Sequence, residues 1–339
     1  MKTEMKRYNS LFEKIISMEN LELADKKARR GKKSYGIKIF DRNREENLRR
    51  LHEDLKAHRF HTSEYKIEKI FEPKERDIYK LPYYPDRIVH HAIMNILEPI
   101  WTSVFIKETY SCIKGRGIHK AAADLKKAMK DVEGTKYCLK IDIRKFYPTI
   151  NHVIMKEIIR KKIKCEGTLW LLDDIIDSVK GIKGLALGNL LSQFLANLYL
   201  SYFDHDVKEI KKVKYYYRYA DDMTFFSDSK EFLHELLKWI KEYMKTLDLE
   251  LKGNEQIFPI AMNRFDKSGR GLDFVGYVFY HKQTMLRKGI KKNFCRKASK
   301  LNKKENITEK EYKQCLCSWI GWAKHCNAKR LTNKILKYK

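Results

Sequence analysis

The sequence predicts an α+β fold, in which helices and strands mix without the regular strand–helix–strand rhythm of a parallel sheet. Three observations lead to this prediction. Apolar residues recur at helical spacing in several stretches, as at Ile88, Val89, Ala92 and Ile93. Elsewhere they alternate at every second residue, as in "KYCLKIDI" from Lys136. The stretches "YYYRYADDMTFF" and "GLDFVGYVFYHKQTMLRKG" are each typical of a β-hairpin.

The first third of the chain is predicted to be mostly helical. Residues 1–60 are charged and predict helices, and "YKIEKIFEPKERDIYK" then predicts two strands joined by a turn at Pro73. A helix should follow from Ile88, with Asp86 as its N-terminal cap and Pro99 helping to end it.

The rest of the chain alternates between strands and helices. In "KYCLKIDI" the strand period puts Asp142 on the face opposite to its apolar neighbours. Pro148 should end this strand region, and a helix should begin near Asn151. "NLLSQFLANLYLSYFDHDVKEI" predicts one long, well-buried helix. Residues 230–247 and the lysine-rich tail from Lys288 are also predicted to be helical.

Two adjacent aspartates interrupt a segment that otherwise has the composition of a buried hairpin. Tyr215–Ala220 predicts one strand and Met223–Ser227 its return strand, with Asp221 and Asp222 at the turn. Aspartates often fill surface turns, so this pair alone indicates little. The aromatic strands on either side and the upstream strand that carries Asp142 favour a functional interpretation.

The charge balance predicts an anionic partner. The 339 residues are 43% hydrophobic, enough for a core in two or three lobes, and 72 Lys and Arg against 44 Asp and Glu give a formal charge of +28. Nucleic acid is the first candidate, because each neutralised phosphate releases counterions. The 20 Tyr and 16 Phe among these cations suit base stacking, although a merely solvated lysine face is an alternative.

The cysteines and the hydropathy predict a reducing, cytoplasmic setting. Seven cysteines without a paired CxxC motif, and no secretory leader or membrane-spanning stretch, favour it. Cys315, Cys317, His325 and Cys326 form a group that a zinc site could use. Their spacing fits no common zinc pattern, so ordinary buried thiols on a helix are the favoured interpretation.

Three carboxylates that meet at strand ends would need a cation. Uncompensated carboxylates in a half-buried site raise their pKa and become neutral. Magnesium prefers a few carboxylates together with waters and substrate phosphates. Two metal ions about 4 Å apart stabilise the attacking and leaving oxygens of an in-line phosphoryl transfer. Asp142, Asp221 and Asp222 are therefore the candidates to hold such ions.

The motifs around these aspartates resemble those of reverse transcriptases. "YADD" resembles their YxDD box, and "LKIDIRKFYPTI" resembles their first catalytic-aspartate motif. "GLALGNLLSQFLANLYLSYFD" resembles their third motif, with Ser192 and Gln193 where most relatives have Ser-Pro. This version, with "DRIVHHAIMNILEPIW" and "SWIGWAKHCNAKRL", is similar to the enzymes of diversity-generating retroelements over about residues 5 to 335. Ala220, before the aspartate pair, is closer to retron-type enzymes.

The resemblance implies a right-hand polymerase with fingers, palm and thumb. Residues 1–135 would form N-terminal helices and fingers, and residues 136–282 a palm of antiparallel sheet plus helices, with a fingers or palm segment at about 155–185. Residues 283–339 would form a helical basic thumb that holds the template–primer backbone with Trp319 and Trp322.

The resemblance also implies substrates, cofactors and partners. A bacterial or phage-encoded enzyme would extend a primer with deoxynucleoside triphosphates on a template RNA, using two Mg²⁺ ions, for which Mn²⁺ could substitute. A small basic accessory protein oligomer is a further implied partner, and no membrane is implied.

The resemblance implies that Asp142, Asp221 and Asp222 are the catalytic residues. Asp142 and Asp221 would be the metal ligands, and Asp222 would be a weaker ligand or an electrostatic support.

Further residue roles follow from the resemblance position by position. Tyr147 would be the aromatic gate under the sugar, and Phe146 would join that pocket or pack in the core. Gly276 and Tyr277 would support the primer end. The residues implied to contact the triphosphate, metal, template or incoming base are Lys74, Arg76, Ile143 through its carbonyl, Leu187, Gly188, Asn189 and Gln193. Gln256 occupies the place where relatives have a lysine that protonates pyrophosphate, and Lys252 lies close by, so the general acid stays open.

Two other functions fit the same residues. A retron-like or phage-defence reverse transcriptase would keep the chemistry in a different biological setting. An RNA-binding scaffold that has lost catalysis is the other alternative, and the presence of all three aspartates argues against it.

Overall fold

The computed structural model describes residues 7–71, 75–304 and 307–336. In chain order the α-helices are α1 (Phe12–Ile16), α2 (Met18–Ala28), α3 (Tyr35–Arg42), α4 (Arg44–Lys56), α5 (Ile88–Thr102), α6 (Ile118–Ala128), α7 (Phe146–Thr149), α8 (His152–Arg160), α9 (Glu166–Asp177), α10 (Leu190–Tyr199), α11 (Ser201–Glu209), α12 (Lys230–Thr246), α13 (Lys288–Asn302), α14 (Glu309–Lys324) and α15 (Lys329–Leu336). A short π-helical segment, Tyr83–Arg87, directly precedes α5. The strands are β1 (Lys66–Ile70), β2 (Arg76–Lys80), β3 (Tyr137–Asp142), β4 (Tyr215–Tyr219), β5 (Asp222–Ser227), β6 (Gln256–Pro259), β7 (Leu272–Phe274), β8 (Tyr277–Phe279) and β9 (Thr284–Leu286).

These elements form two compact units built from interleaved segments. The first unit comprises the described residues up to Ile106 together with Arg144–His205 and Met244–Glu250. The second comprises Lys107–Ile143, Asp206–Tyr243 and the described residues from Leu251 onward. Among the described helices, none combines the length and the apolar character needed to cross a membrane.

Helix α5 is the centre of the first unit. It packs against α1, α2 and α10, and most of its apolar side chains are buried. The helix begins after Arg87 rather than at a cap formed by Asp86, whose carboxylate instead accepts a hydrogen bond from the Ser63 amide at 2.9 Å. The helix also continues for three residues past Pro99, to Thr102. This extension buries Trp101 completely, and the free energy of that burial offsets the loss of the backbone hydrogen bond that Pro99 cannot donate.

The predicted long helix is two helices. α10 ends at Tyr199 and α11 begins at Ser201, with a break at Leu200. The Ser201 hydroxyl donates to the carbonyl of Leu198 at 2.7 Å, which competes with the backbone bonds that would continue the helix. Burial of nearly every α10 side chain confirms the other part of the prediction.

The β1–β2 hairpin of the first unit is confirmed. Its strands pair antiparallel from Lys66 opposite Lys80 to Ile70 opposite Arg76. The turn predicted at Pro73 lies outside the described residues.

A four-stranded antiparallel sheet organises the second unit, in the order β4-β5-β3-β6. Cys138 and Leu139 point to opposite faces of β3 and both are fully buried, so this part of the sheet is covered on both sides. α6 packs against β4, and its buried Ala121, Ala122 and Leu125 join one core with Cys138.

The predicted C-terminal hairpin is a three-stranded meander, β7-β8-β9. Its first turn consists of Val275 and Gly276, both with positive φ, which is the sign pattern of a type I′ turn. Helices α13 to α15 follow, as predicted. On α14 the thiols of Cys315 and Cys317 are exposed, so the expectation that they are buried was wrong for these two.

Candidate active site

The sheet register brings the predicted aspartates together in the second unit. β3 ends at Asp142, β5 begins at Asp222, and these residues are directly opposite each other on neighbouring antiparallel strands. Such partners have Cα atoms roughly 5 Å apart. Asp221 precedes Asp222, so all three carboxylates lie at one end of the sheet.

The hairpin turn differs by one residue from its prediction. Tyr219 pairs with Asp222, so the turn is Ala220 and Asp221, and Asp222 belongs to the return strand. Ala220 has a φ of 55°, a left-handed conformation that costs an L-residue roughly 1–2 kcal/mol. Arg218, fully buried, donates from Nη1 to the Ala220 carbonyl at 3.2 Å and holds this turn. The sequence reasoning missed Arg218, although an arginine within an aromatic strand was a visible signal.

The site has an excess of negative charge. Burial, followed by the nearby Asp142 carboxylate, raises the pKa of Asp221 to about 6. Burial also raises the pKa of Asp222 to about 6, although the Lys140 ammonium works in the opposite direction. Both carboxylates are therefore ionised at neutral pH at an energetic cost that a divalent cation would remove.

Two lysines partly neutralise the carboxylates. Lys252 Nζ lies 3.0 Å from Asp142 Oδ2, and its backbone amide donates to the Asp142 carbonyl at 2.9 Å. Lys140 Nζ lies 3.4 Å from Asp222 Oδ2. Asp222 Oδ1 is buried and has no hydrogen-bond partner within the described residues.

These donors fit a magnesium ion in their chemistry. All three are anionic oxygen donors, and Asp222 Oδ1 has no partner in the described residues. Mg²⁺ is typically bound by one or two such carboxylates together with substrate phosphates. Across residues 7–71, 75–304 and 307–336, no three His, Cys, Asp or Glu side chains form a ready-made metal cage. The carboxylates of Asp142 and Asp222 each face a lysine, so a metal would have to share or displace that contact.

The two candidates for the general acid are placed differently. The Lys252 ammonium contacts the Asp142 carboxylate, whereas Gln256 is the first residue of β6 and its Oε1 accepts from Arg270 Nη2 at 2.5 Å. Of these two side chains, only that of Lys252 has an ammonium group that can transfer a proton, whereas the Gln256 amide can only form hydrogen bonds.

In the first unit, the predicted third-motif residues lie against the strand that Arg76 opens. The Tyr79 amide donates to the Leu187 carbonyl at 2.8 Å, which joins this loop to β2. Gly188 has a φ of 113°, and a Cβ there would lie 2.9 Å from Ile78 Cγ2. The loop therefore needs a glycine for its own backbone and for its approach to β2.

Other predicted nucleotide contacts have mixed exposure. Asn189 is 7% exposed, and its Nδ2 donates to the carbonyls of Tyr79 and Ala186 at 3.4 Å. Gln193 on α10 is half-buried and Arg76 is exposed, while Lys74 lies outside the described residues. Their roles toward a nucleotide stay predictions.

The predicted aromatic gate follows β3 on the short helix α7. Phe146 is 2% exposed and its ring meets that of Tyr147 edge-on at 5.8 Å. Tyr147 is half-buried, and its carbonyl accepts from the Leu185 amide at 2.9 Å. Of the two rings, Tyr147 is the more accessible to a ligand.

The residues predicted to support the primer are buried against α14. A Cβ on Gly276 would lie 2.3 Å from Trp322 Cζ3. Tyr277 is fully buried, and its hydroxyl donates to the Trp322 carbonyl at 3.1 Å. Any contact with a primer would therefore use the backbone of this turn rather than the Tyr277 ring. Trp319 stacks on Phe294 with ring centroids 6.4 Å apart, so both predicted thumb tryptophans have packing roles.

The chain matches a protein-family model over the segment that contains the three aspartates. The model described as "Reverse transcriptase (RNA-dependent DNA polymerase)" matches residues 45–254, more than half of the 339 residues. This match covers Asp142, Asp221 and Asp222, Tyr147 and the third motif.

Curated relatives have similar sequences over part of their length. The group II intron-encoded protein LtrA of Lactococcus lactis subsp. cremoris is 27% identical over 180 residues, 51% of this chain and 29% of that protein. Protein YkfC of Escherichia coli (strain K12) is 26% identical over 139 residues, 38% of this chain and 36% of that protein. Nuclear intron maturase 4, mitochondrial, of Arabidopsis thaliana is 23% identical over 184 residues, 23% of its length. The alignments thus span between 23% and 36% of the length of these relatives.

Solved structures with a similar fold include telomerases. An apo telomerase from Candida tropicalis, truncated from its C-terminal domain, superposes with a TM-score of 0.52 at 13% identity, over 67% of this chain and 55% of that one. A second apo telomerase from that organism has a TM-score of 0.51 at 12% identity, over 82% and 60%. At this identity the likeness shows the fold alone, and it confirms the predicted α+β right-hand polymerase fold.

Proposed function

Since this chain belongs to the reverse transcriptase (RNA-dependent DNA polymerase) family, we propose that it is an active RNA-directed DNA polymerase. The observation that carries the proposal is the register of β3 and β5, which sets Asp142 opposite Asp222 with Asp221 beside them. The reaction is attack of a primer 3′-hydroxyl on the α-phosphorus of a deoxynucleoside triphosphate, with pyrophosphate as the leaving group.

The aspartates would hold two Mg²⁺ ions, with the Ile143 carbonyl as a further ligand. Bound there, the ions would supply charge stabilisation for the attacking and leaving oxygens. Asp142 and Asp221 are the principal ligands in this proposal, and the resemblance makes Asp222 the weaker ligand or an electrostatic support. Lys252 is the general acid that protonates pyrophosphate, since its ammonium lies at Asp142.

The remaining substrate contacts in this proposal come from the resemblance. Lys74 and Arg76 bind the triphosphate, and the planar guanidinium of Arg76 suits bidentate contact with phosphate oxygens. Tyr147 excludes a 2′-hydroxyl, and Leu187 to Asn189 with Gln193 face the templating base and the incoming sugar. The division into fingers (1–135), palm (136–282) and thumb (283–339) is part of the same proposal.

The biological setting proposed is a diversity-generating retroelement, with a template RNA and a small basic accessory protein as partners. The Ser192-Gln193 form of the third motif supports it. A retron-like or phage-defence enzyme is the second candidate, which the Ala220 form of the aspartate box favours. Sequencing the RNA and cDNA that copurify with the chain distinguishes the two: cDNA with substitutions confined to template adenines supports the first, and a faithful copy of one structured RNA supports the second.

Error-prone copying of adenine would depend on the pocket around Leu187. A half-buried leucine beside the base pair can check its shape only loosely. Leu187→Ala is expected to change misincorporation opposite template A more than opposite template G. Equal error rates opposite all four template bases would contradict this part of the proposal.

Primer extension tests the catalytic proposal. Purified protein with Mg²⁺, an RNA template, a DNA primer and deoxynucleotides should extend the primer, and Asp142→Asn or Asp221→Asn should stop it. Lys214→Met is a matched control, because Lys214 forms an ion pair of 2.9 Å with Asp131 elsewhere in the same unit. No extension by a folded wild-type protein that still binds RNA would favour the catalytically inactive scaffold.

A further inference from the structure

Lys140 has two acceptors that belong to different sheets. Its ammonium lies 3.4 Å from Asp222 Oδ2 on β5, and it also donates to the backbone carbonyl of Asp273 on β7. The Lys140 side chain is 25% exposed. Because an ammonium has three donors, one lysine can hold both groups at once.

Asp273 continues this contact toward the last helices. Its carboxylate receives the Arg287 guanidinium at 2.5 and 2.6 Å. Arg287 is the residue before α13, and its amide donates to the Gly276 carbonyl at 3.0 Å. Lys140 and Asp273 thus connect Asp222 to the turn at Gly276 and to the start of α13.

The Lys140 contact leaves Asp222 with one available oxygen. Oδ2 is bound to the ammonium, and Oδ1 is buried without a hydrogen-bond partner in the described part of the chain. Burying a carboxylate oxygen without a partner costs free energy. Within the proposed metal site, a cation bound by Oδ1 would remove that cost, so Oδ1 is the oxygen suited to a ligand role. The orientation of Oδ1 depends on what holds Oδ2.

We propose that Lys140 is a positioning residue: it clamps Asp222 against β7 so that Oδ1 alone is presented to a divalent cation. This inference rests on the proposed function, because it requires a metal site at the aspartates. An ordinary surface ion pair would only offset charge and would not fix the orientation of the carboxylate. The shared carbonyl of Asp273 and the unpartnered Oδ1 set this lysine apart from such a pair.

Removing Lys140 has opposite effects on metal affinity in the two possible roles. If Lys140 only offsets charge, Lys140→Met leaves the site more negative, and a divalent cation binds more tightly. If Lys140 positions Asp222, the variant frees the carboxylate to rotate, and the cation binds more weakly. The sign of the change therefore separates positioning from charge compensation.

The test measures Mn²⁺ binding to the whole chain without nucleotide, by the EPR signal of free Mn²⁺. Lys140→Met should weaken binding about five-fold or more, and Lys140→Arg should restore part of it. In an Asp222→Asn background, Lys140→Met should change the affinity less than two-fold, because its effect passes through Asp222. Lys214→Met should match wild type.

Three outcomes would overturn the inference. The first is tighter Mn²⁺ binding by Lys140→Met than by wild type. The second is an equal weakening of Mn²⁺ binding by Lys140→Met in the wild-type and the Asp222→Asn backgrounds. The third outcome is that the wild-type protein shows no Mn²⁺ binding that Asp142→Asn removes. That result would overturn the proposed metal site as well, so it distinguishes a failure of the proposed function from a failure of the Lys140 role alone. Thermal unfolding checks each variant, and Lys140→Gln, which keeps a donor for the Asp273 carbonyl, replaces Lys140→Met if the latter does not fold.

Discussion

Asp142 and Asp222 are the last residue pair of β3 and β5, directly opposite each other on adjacent antiparallel strands. Like charges in this arrangement destabilise a sheet. Two lysines reduce this repulsion, because Lys252 contacts the Asp142 carboxylate and Lys140 contacts the Asp222 carboxylate. A stability cost confined to one sheet end is typical of functional sites.

Asp221→Asn is expected to stabilise the metal-free protein while abolishing activity. Burial and the neighbouring Asp142 carboxylate disfavour the charged form of Asp221, so the neutral amide should raise the free energy of unfolding by roughly 1 kcal/mol after solvent screening. Extension should fall at least about 10³-fold because a ligand of the proposed metal site is lost. Urea denaturation in EDTA and primer extension measure the two effects. An unfolding free energy below that of wild type would contradict the prediction.

Tyr147→Val is expected to admit ribonucleotides. The half-buried Tyr147 ring should exclude a 2′-hydroxyl, so the discrimination between dNTP and rNTP should fall roughly 10- to 100-fold. Phe146→Leu is the matched control: its ring is 2% exposed, so this change should lower stability and leave discrimination unaltered. Single-nucleotide incorporation kinetics with both substrates measure it. Equal loss of discrimination in both variants would argue against a specific gate.

Gly276→Ala is expected to destabilise the second unit by about 2–4 kcal/mol. Gly276 has a φ of 85°, and its Cβ would lie 2.3 Å from the Trp322 ring, so backbone strain adds to overpacking. Gly289→Ala is the matched control, because a Cβ there meets nothing within 4 Å and α13 gains helix propensity. Thermal unfolding of both variants tests this. A Gly276→Ala protein as stable as Gly289→Ala would show that Trp322 does not pack on this turn.

The first unit should lose stability below neutral pH through His90. Burial lowers the pKa of His90 to about 4, and its Nε2 has no partner in the described residues. The unfolded chain binds more protons between about pH 4 and 6.5, so the free energy of unfolding falls as the pH drops through that range.

The loss through His90 should be on the order of 3 kcal/mol at pH 4 relative to pH 7.5. His90→Leu removes this titration and should flatten the acid side of the stability curve. Urea denaturation at several pH values gives the comparison. An unchanged curve in His90→Leu would assign the acid sensitivity to other groups, such as His91, whose pKa burial also lowers.

The amino-acid sequence by itself determined most of the helices and strands and which aspartates could form a site. Alternation predicted β3 with Asp142 at its end, and the aromatic runs predicted the hairpin with its two aspartates, because side-chain periodicity is a local property of the chain. The position of the turn was off by one residue, since strand pairing decides which aspartate joins β5.

Only the tertiary structure decided which side chains contact these aspartates and hold the turn beside them. Lys140 is visible in the sequence two residues before Asp142, but its partners, Asp222 and the Asp273 carbonyl, are 82 and 133 positions away along the chain. The Ala220 conformation and its contact with the buried Arg218 likewise depend on the register of β4 and β5. Contacts between distant segments follow from packing and strand register, which a single sequence does not encode locally.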